Sequence, residues 1–279
     1  MSFSKVVAIT ALLAFAGTSA SAERAKGVRY EMVADGEVQI ALDGHVSDYR
    51  LASELAPEIA ALVNRSVRRW RFQPILQDGQ PVTAKTALQI RLSAESAADK
   101  PDSFVVRVIG VEFGAPSRRS ANHPPRYPGL AISARLNAKV VLLLRIDDAG
   151  KVVEARPYQT SLGARTRSER DAEAWRKIFE RESIAAAKTW KYDLTEAVGG
   201  RRVGRYALAP IEFRLVRPAA GSERLDKWKG YIPGPVHELP SELGLESDAT
   251  DRASRLADGE AAALDSHFRL IDDVVGKVL

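Results

Sequence analysis

Apolar and polar residues alternate in two distant runs, and each run follows the same aromatic marker. Trp70-Arg71-Phe72 precedes Leu88-Gln89-Ile90-Arg91-Leu92, and Trp190-Lys191-Tyr192 precedes Ile211-Glu212-Phe213-Arg214-Leu215. The run begins 18 residues after the Trp in the first copy and 21 after it in the second, a difference that a surface turn absorbs. Period-two alternation of this kind predicts strands with one buried face, and its recurrence predicts an internal repeat.

Upstream of each marker the pattern again reads alike. Glu37 to Leu42, the turn Asp43-Gly44 and His45 to Leu51 predict a hairpin, with a counterpart in Lys139 to Ile146, Asp147 to Gly150 and Lys151 to Tyr158. Pro57 suits a first helical turn, and Ile59, Leu62, Val63, Val67 and Trp70 fall on one helical face. In the second copy Ser168-Glu169-Arg170-Asp171 resembles a capping signal for a longer helix that carries Trp175, Ile178, Phe179, Ala186 and Trp190 on one stripe. The expected order is strand, strand, helix, strand, with Leu162 to Ser183 as an insertion in the second copy. Trp70 and Trp190 are expected in the core, since each closes an amphipathic helix and leads into a strand.

These residues carry a resemblance. Tyr127-Pro128, the Asp147 to Gly150 turn, Gln159-Thr160-Ser161, Ala185 to Tyr192 and Pro210 to Leu215 are similar to the TonB C-terminal domain family, and the first copy resembles it through Asp43 to Val46, Val67 to Pro74 and Asp78 to Val82. The resemblance implies an α+β fold of two tandem small modules, each a three-stranded antiparallel sheet with a helix packed on one face. The expected organisation is a signal peptide over 1–22, a first module over 28–93, a linker and leading strand over 94–126, a second module with its helical insertion over 127–217, and a Pro-containing linker and C-terminal helix over 218–279. That last helix is predicted from Ala257, Ala261, Leu264, Phe268, Ile271, Val275 and Val278, an amphipathic stripe that either docks onto the second module or forms a homodimer seam.

The N-terminus departs from a full TonB transducer, which has an uncleaved anchor and a long Pro-rich spacer. Lys5, the apolar stretch Val6 to Ala16 and Ala20-Ser21-Ala22 fit a secretory signal, and the stretch is shorter than the about 20 residues that span a bilayer. A periplasmic protein without a transmembrane span after signal removal is expected. The absence of cysteine excludes disulfides and thiol chemistry. The net charge of +5 falls to +4 once Lys5 is removed. Arginines gather at Arg65, Arg68, Arg69 and Arg71 and at Arg118, Arg119 and Arg126, but no aromatic strip accompanies them, which argues against nucleic acid.

Catalytic chemistry has little support. His45, His123, His237 and His267 are far apart and lack metal-motif spacing, and neither a phosphate loop nor a Gly-x-Ser-x-Gly elbow occurs. No catalytic, cofactor or metal residue is assigned, and no enzyme activity is expected. The function implied by the resemblance is a periplasmic protein-binding or scaffold module that captures a peptide by edge-strand addition, its partner an outer-membrane receptor or another envelope protein. The runs Lys85 to Leu92 and Ala209 to Val216 are the expected edge strands, with Lys85, Gln89, Arg91, Glu212 and Arg214 as partner-binding residues. The alternatives are a membrane-anchored energy transducer for outer-membrane transport and a cell-envelope enzyme.

Overall fold

The structure is a computed structural model that describes residues 7–8, 29–97, 100–215, 230–243 and 249–279. The expected signal segment lies almost wholly outside the described residues, as does Trp228. The chain divides into two compact units. Strand accounts for 42% and helix for 19% of the structure, so the fold is mostly β, and the expectation of two small three-stranded α+β modules is overturned.

In unit 1, β1 (Arg29–Ile40) and β2 (Val46–Leu51) form the first hairpin, and α1 (Pro57–Val67) follows with Pro57 in its first turn. β3 (Ala84–Ala97) then pairs antiparallel with the whole length of β1, from Arg29 opposite Glu95 to Ile40 opposite Ala84. The order strand, strand, helix, strand is present. The sheet does not stop there, because β4 (Lys100–Phe113) returns along the other side of β3 and pairs with it from Leu88 to Ala97. Residues 93–103 had the small and polar composition of a linker. In the structure 93–97 and 100–103 are paired parts of β3 and β4, and Ser93 is buried. Phe104–Phe113 therefore belongs to the sheet of unit 1, which curls into a half-barrel.

In unit 1, Val63 and Val67 of α1, Trp70 just after it, and Val38, Ile40, Leu88, Ile90 and Leu92 of the sheet are all buried. An aromatic group closes this core. Phe72 stands edge-on to Phe113 and Phe268, with ring centroids 5.5 and 5.6 Å away. Such edge-to-face contacts add to the area that the rings remove from water.

Unit 2 repeats the order with β5 (Ala138–Ile146), β6 (Val152–Leu162), α3 (Glu169–Ala187) and β7 (Arg205–Phe213), preceded by the short helix α2 (Gly129–Ser133). The capping signal is realised, since the Ser168 hydroxyl accepts from the Asp171 N–H at 3.1 Å. The sheet order is β6–β5–β7–β8, where β8 is Ala262–Ala263. Val140, Leu142 and Leu144 face Phe179, Ala187 and Trp190 in one core, while Val141, Leu143 and Leu208 face Leu239, Leu243 and Ala253 in a second. Both faces of the sheet are covered, which accounts for the unbroken apolar run of β5.

The expected C-terminal helix is also corrected. The helix α4 (Ala249–Arg255) is short, and 256–279 forms no α-helix. Gly259 and Gly276 take left-handed backbone angles, φ 89° and 84°, that a continuous right-handed helix excludes. Of the seven-residue stripe, Ala261, Leu264 and Phe268 are buried, while Ile271, Val275 and Val278 are exposed. The helix on which a homodimer seam was expected is therefore not formed over 256–279.

One relation explains the repeated marker. Gly44 and Gly150, at the turns of the two hairpins, have φ of 81° and 77°. The Gly44 carbonyl accepts from the Phe72 N–H at 2.9 Å, and the Gly150 carbonyl accepts from the Tyr192 N–H at 2.8 Å. A Cβ on either glycine would stand 2.0 Å from the Phe72 oxygen or 2.1 Å from the Tyr192 oxygen. The Trp-x-aromatic string thus clasps a turn that only glycine fits.

Candidate functional site

The five residues expected to bind a partner do not share an open edge. Lys85 pairs across the sheet with Gln39, and its Nζ lies 3.4 Å from Glu37. Gln89 sits between Asp35 on β1 and Glu112 on β4 and donates to the Asp35 carboxylate at 3.0 Å. Arg91 lies between Val33 and Gly110, its guanidinium over the space that the glycine leaves. From Leu88 onward β3 is an interior strand, and its backbone groups are spent on two neighbours.

Glu212 and Arg214 lie at the end of β7, where they form an ion pair with each other. The outward N–H of Glu212 donates to the Asp258 carboxylate at 3.1 Å. Further along the same edge, Ala207 and Leu208 pair with β8, and the Tyr206 N–H donates to Asp265 at 3.0 Å. Burial raises the pKa of both Asp258 and Asp265, opposed for Asp258 by Arg118 and Arg214 and for Asp265 by the Tyr206 N–H and Arg205. The edge proposed for the second copy is closed by the chain itself.

The other sheet edges are managed in the same way. In unit 2, Ile232 and Leu162 exchange backbone bonds of 2.8 and 3.0 Å, and the His237 N–H donates to the Tyr158 carbonyl at 2.8 Å, so 232–237 lies extended on the outer edge of β6. In unit 1, the exposed side of β2 is plugged at Tyr49: its N–H donates to the Asp48 side chain at 2.8 Å, and its carbonyl accepts from Arg68 at 3.1 Å. Charged side chains placed on edge backbone groups are a known defence against unwanted pairing.

On β4 the residues 276–279 cover part of the edge. The Gly276 N–H donates to the Val108 carbonyl at 2.7 Å, the Val108 N–H donates to Lys277 at 3.1 Å, and the Leu279 N–H donates to Val106 at 3.0 Å. Val275, Lys277 and Val278 in this short segment are exposed, so few side-chain contacts reinforce its main-chain bonds. Beside it opens a cavity of about 350 Å³, with Leu62, Trp70 and Val108 contributing apolar surface, Arg65, Arg69 and Lys277 positive charge, and Asp272 and Asp273 negative charge. Arg65 and Arg69 are exposed and form no ion pair among the described residues. One arginine cluster of the sequence is thus distributed around a concave surface at the C-terminal end of α1. Arg68 of the same cluster turns instead to Asp48 and Asn64.

Sequence reading missed a buried polar cluster in unit 2. Glu196 is fully buried, with Arg205 NH2 3.4 Å away, the Ser266 hydroxyl 2.7 Å away and His267 Nδ1 2.7 Å away. Burial pushes the Glu196 pKa up, but the bonds from His267, the Arg205 charge and the Ser266 hydroxyl outweigh it and hold the carboxyl at about 2. The residue types match a hydroxyl, a base and an acid, but the wiring differs from a nucleophile-base pair: Ser266 donates to Glu196 rather than to the imidazole. The cluster instead fastens residues 266–267 to the segment that follows Tyr192. No local spacing announces it, because Glu196 and His267 are 71 residues apart.

Among the described residues no group of three or more His, Asp or Glu side chains is placed to hold a metal ion, and no helix is long and apolar enough to cross a membrane. No protein-family model matches the chain, and no curated protein matches it.

Proposed function

We propose that this is an exported, periplasmic, non-enzymatic protein-binding module that accepts an extended partner segment on the outer edge of β4, in place of its own residues 276–279. The observation that carries the reading is the set of three main-chain bonds between Val106, Val108 and residues 276–279, which turn at Gly276 and bridge to Arg107 at Val278. An edge that holds one segment through backbone groups can hold another of suitable side chains. Strand addition is also the mode that the resemblance to TonB C-terminal domains implies, now placed on β4 rather than on β3 or β7. Export follows from the Val6 to Ala16 stretch and Ala20-Ser21-Ala22.

The surroundings favour a partner segment with aliphatic and acidic positions in alternation. Leu62 and Trp70 offer apolar surface, and Arg65 and Arg69, which form no ion pair among the described residues, offer positive charge beside Asp272, already engaged by the Arg71 N–H, and Asp273. The test compares the full chain with one lacking 276–279, using fluorescently labelled peptides of alternating Val and Glu or alternating Val and Lys. The shortened chain is expected to bind the acidic peptide at least about tenfold tighter than the full chain does, since it no longer competes with its own tail. Equal affinity for both chains would remove the β4 edge from consideration. Equal affinity for both peptides would remove the arginines.

A further inference from the structure

One stretch of sheet edge in unit 1 has no cover among the described residues. β2 pairs with β1 only from Gly36 to Ile40, and just beyond it the Asp35 carbonyl accepts from the Ala52 N–H at 2.8 Å. Since β1 starts at Arg29, its outer side over residues 29–34 meets no strand. Backbone groups alternate in direction along a strand, so Arg29, Glu31 and Val33 turn their N–H and C=O to the same outer side as Asp35. Among the described residues nothing bonds to the backbone of Glu31 or Val33 on that side.

The side chains of this stretch are apolar where a free edge is ordinarily polar. Tyr30, Met32 and Val33 are 55%, 40% and 44% exposed. Tyr30 and Met32 lie on the same face of β1 as the buried Ala34, Val38 and Ile40, so the apolar face of the strand runs on past the core that covers it. Tyr30 is held there edge-on to Phe104, with ring centroids 5.6 Å apart. We infer that this edge is an interface between two copies of the chain, in which residues 29–33 of each β1 pair antiparallel about a two-fold axis at Tyr30.

Charge and space select that register. An axis at Arg29 or at Glu31 would set the residue opposite its own copy, a like-charge pair, and an axis at Met32 would carry Arg29 of the second copy to Asp35, where Ala52 and Ser53 already bond. An axis at Tyr30 sets Arg29 opposite Glu31 of the second copy, and Glu31 opposite its Arg29. Both cross-strand pairs then join opposite charges and exchange backbone N–H to C=O bonds, while the Tyr30 rings meet across the axis on the apolar face. Within one chain Arg29 lies 3.2 Å from Glu31 and 3.6 Å from Glu95, and all three side chains are about half exposed, so these ion pairs extend to the second copy without breaking a buried bond. The same charges that deter an unlike strand match a copy of their own. The paired stretch is short, which makes the dimer a transient one.

Sedimentation equilibrium of the full chain over a concentration series is the first measurement, and a monomer–dimer equilibrium is expected. Arg29→Glu or Glu31→Arg alone places like charges in both cross-strand pairs and should weaken the dimer by at least about tenfold. The double variant Arg29→Glu with Glu31→Arg keeps the net charge and restores both pairs, so it should dimerise to within about threefold of wild type. The chain has no cysteine, so Tyr30→Cys tests the axis: it should cross-link with its own copy in oxidised glutathione, whereas Met32→Cys, displaced from the axis beyond the reach of a disulfide, should not. A dimer that ignores the charge reversals, or that cross-links better through Met32→Cys, would overturn the proposal. A wild type that stays monomeric at every concentration would overturn it too and leave the edge to an unlike strand. Residues 29–33 belong neither to β4 nor to 276–279, so these outcomes are separate from peptide binding at the β4 edge.

Discussion

His267 donates from Nδ1 to the buried carboxylate of Glu196 at 2.7 Å, and its backbone N–H reaches the same oxygen at 3.0 Å. With Arg205 and Ser266, this bond keeps Glu196 ionised in the interior and lowers its pKa to about 2. A carboxyl whose folded pKa is depressed contributes stability above its unfolded value, near 4.5, and that stability is lost as the pH falls toward 2. Unit 2 should therefore lose about 3 kcal/mol over that interval. His267→Ala should start the loss at a higher pH, and Glu196→Gln, which strands Arg205, should cost about 3 to 5 kcal/mol at neutral pH. Urea denaturation of each variant between pH 2 and pH 7 provides the measurement, and a pH-independent difference between wild type and Glu196→Gln would contradict it.

Tyr49 presents the opposite sign. Burial, aided by the negative charge of Asp35, raises its phenol pKa to about 12, and its hydroxyl is buried without a hydrogen-bond partner. The neutral form is the stable one, so this stability is complete below the unfolded value near 10 and disappears as the pH rises through 12. Tyr49→Phe removes an unsatisfied polar group and should stabilise unit 1 by up to about 1 kcal/mol. Thermal unfolding at neutral pH tests the first statement, and ultraviolet titration of the phenolate tests the second.

The two turn glycines separate backbone strain from steric clash. Gly44 and Gly79 both have positive φ, 81° and 78°, but only Gly44 has a backbone oxygen 2.0 Å from where a Cβ would stand. Gly79→Ala should cost about 1 kcal/mol, the penalty for a left-handed alanine, whereas Gly44→Ala should cost clearly more because the Phe72 strand must shift. Equal costs, read from denaturant midpoints, would mean that the clasp between turn and aromatic marker yields without penalty.

Trp70 and Trp190 are 4% and 1% exposed in their respective units. Truncating either to alanine should remove about 3 to 5 kcal/mol through lost transfer energy and a residual cavity. Trp190 should be the costlier, since its Nε1 also donates to the His123 carbonyl at 2.8 Å and its ring lies under Arg118. Hydrogen exchange should localise the loss of Trp70→Ala to residues of unit 1. Uniform loss across both units would show a single cooperative core.

Local rules were enough for the hairpins, the Pro57 start of α1, the Ser168 cap of α3 and the burial of both tryptophans. Each depends on residues a few positions apart, where periodicity, capping and turn chemistry act directly. The ends of the sheets were decided elsewhere. Strand pairing is set by backbone groups that every residue carries, so the small and polar composition of 93–103 could not distinguish a linker from paired strands. The same reason hid the short segments that close the edges, 232–237 on β6, 262–263 on β7 and 276–279 on β4. The four-and-three spacing of 257–278 matched a helix, but Gly259 and Gly276 broke it and the buried positions were claimed by separate cores. Glu196 found Arg205, Ser266 and His267 only after folding, because a buried carboxylate needs partners at hydrogen-bond distance whatever their separation in the chain. Sequence alone thus determined where strands and helices begin, and tertiary structure decided which edges remain open, since an edge is a property of what lies beside a strand.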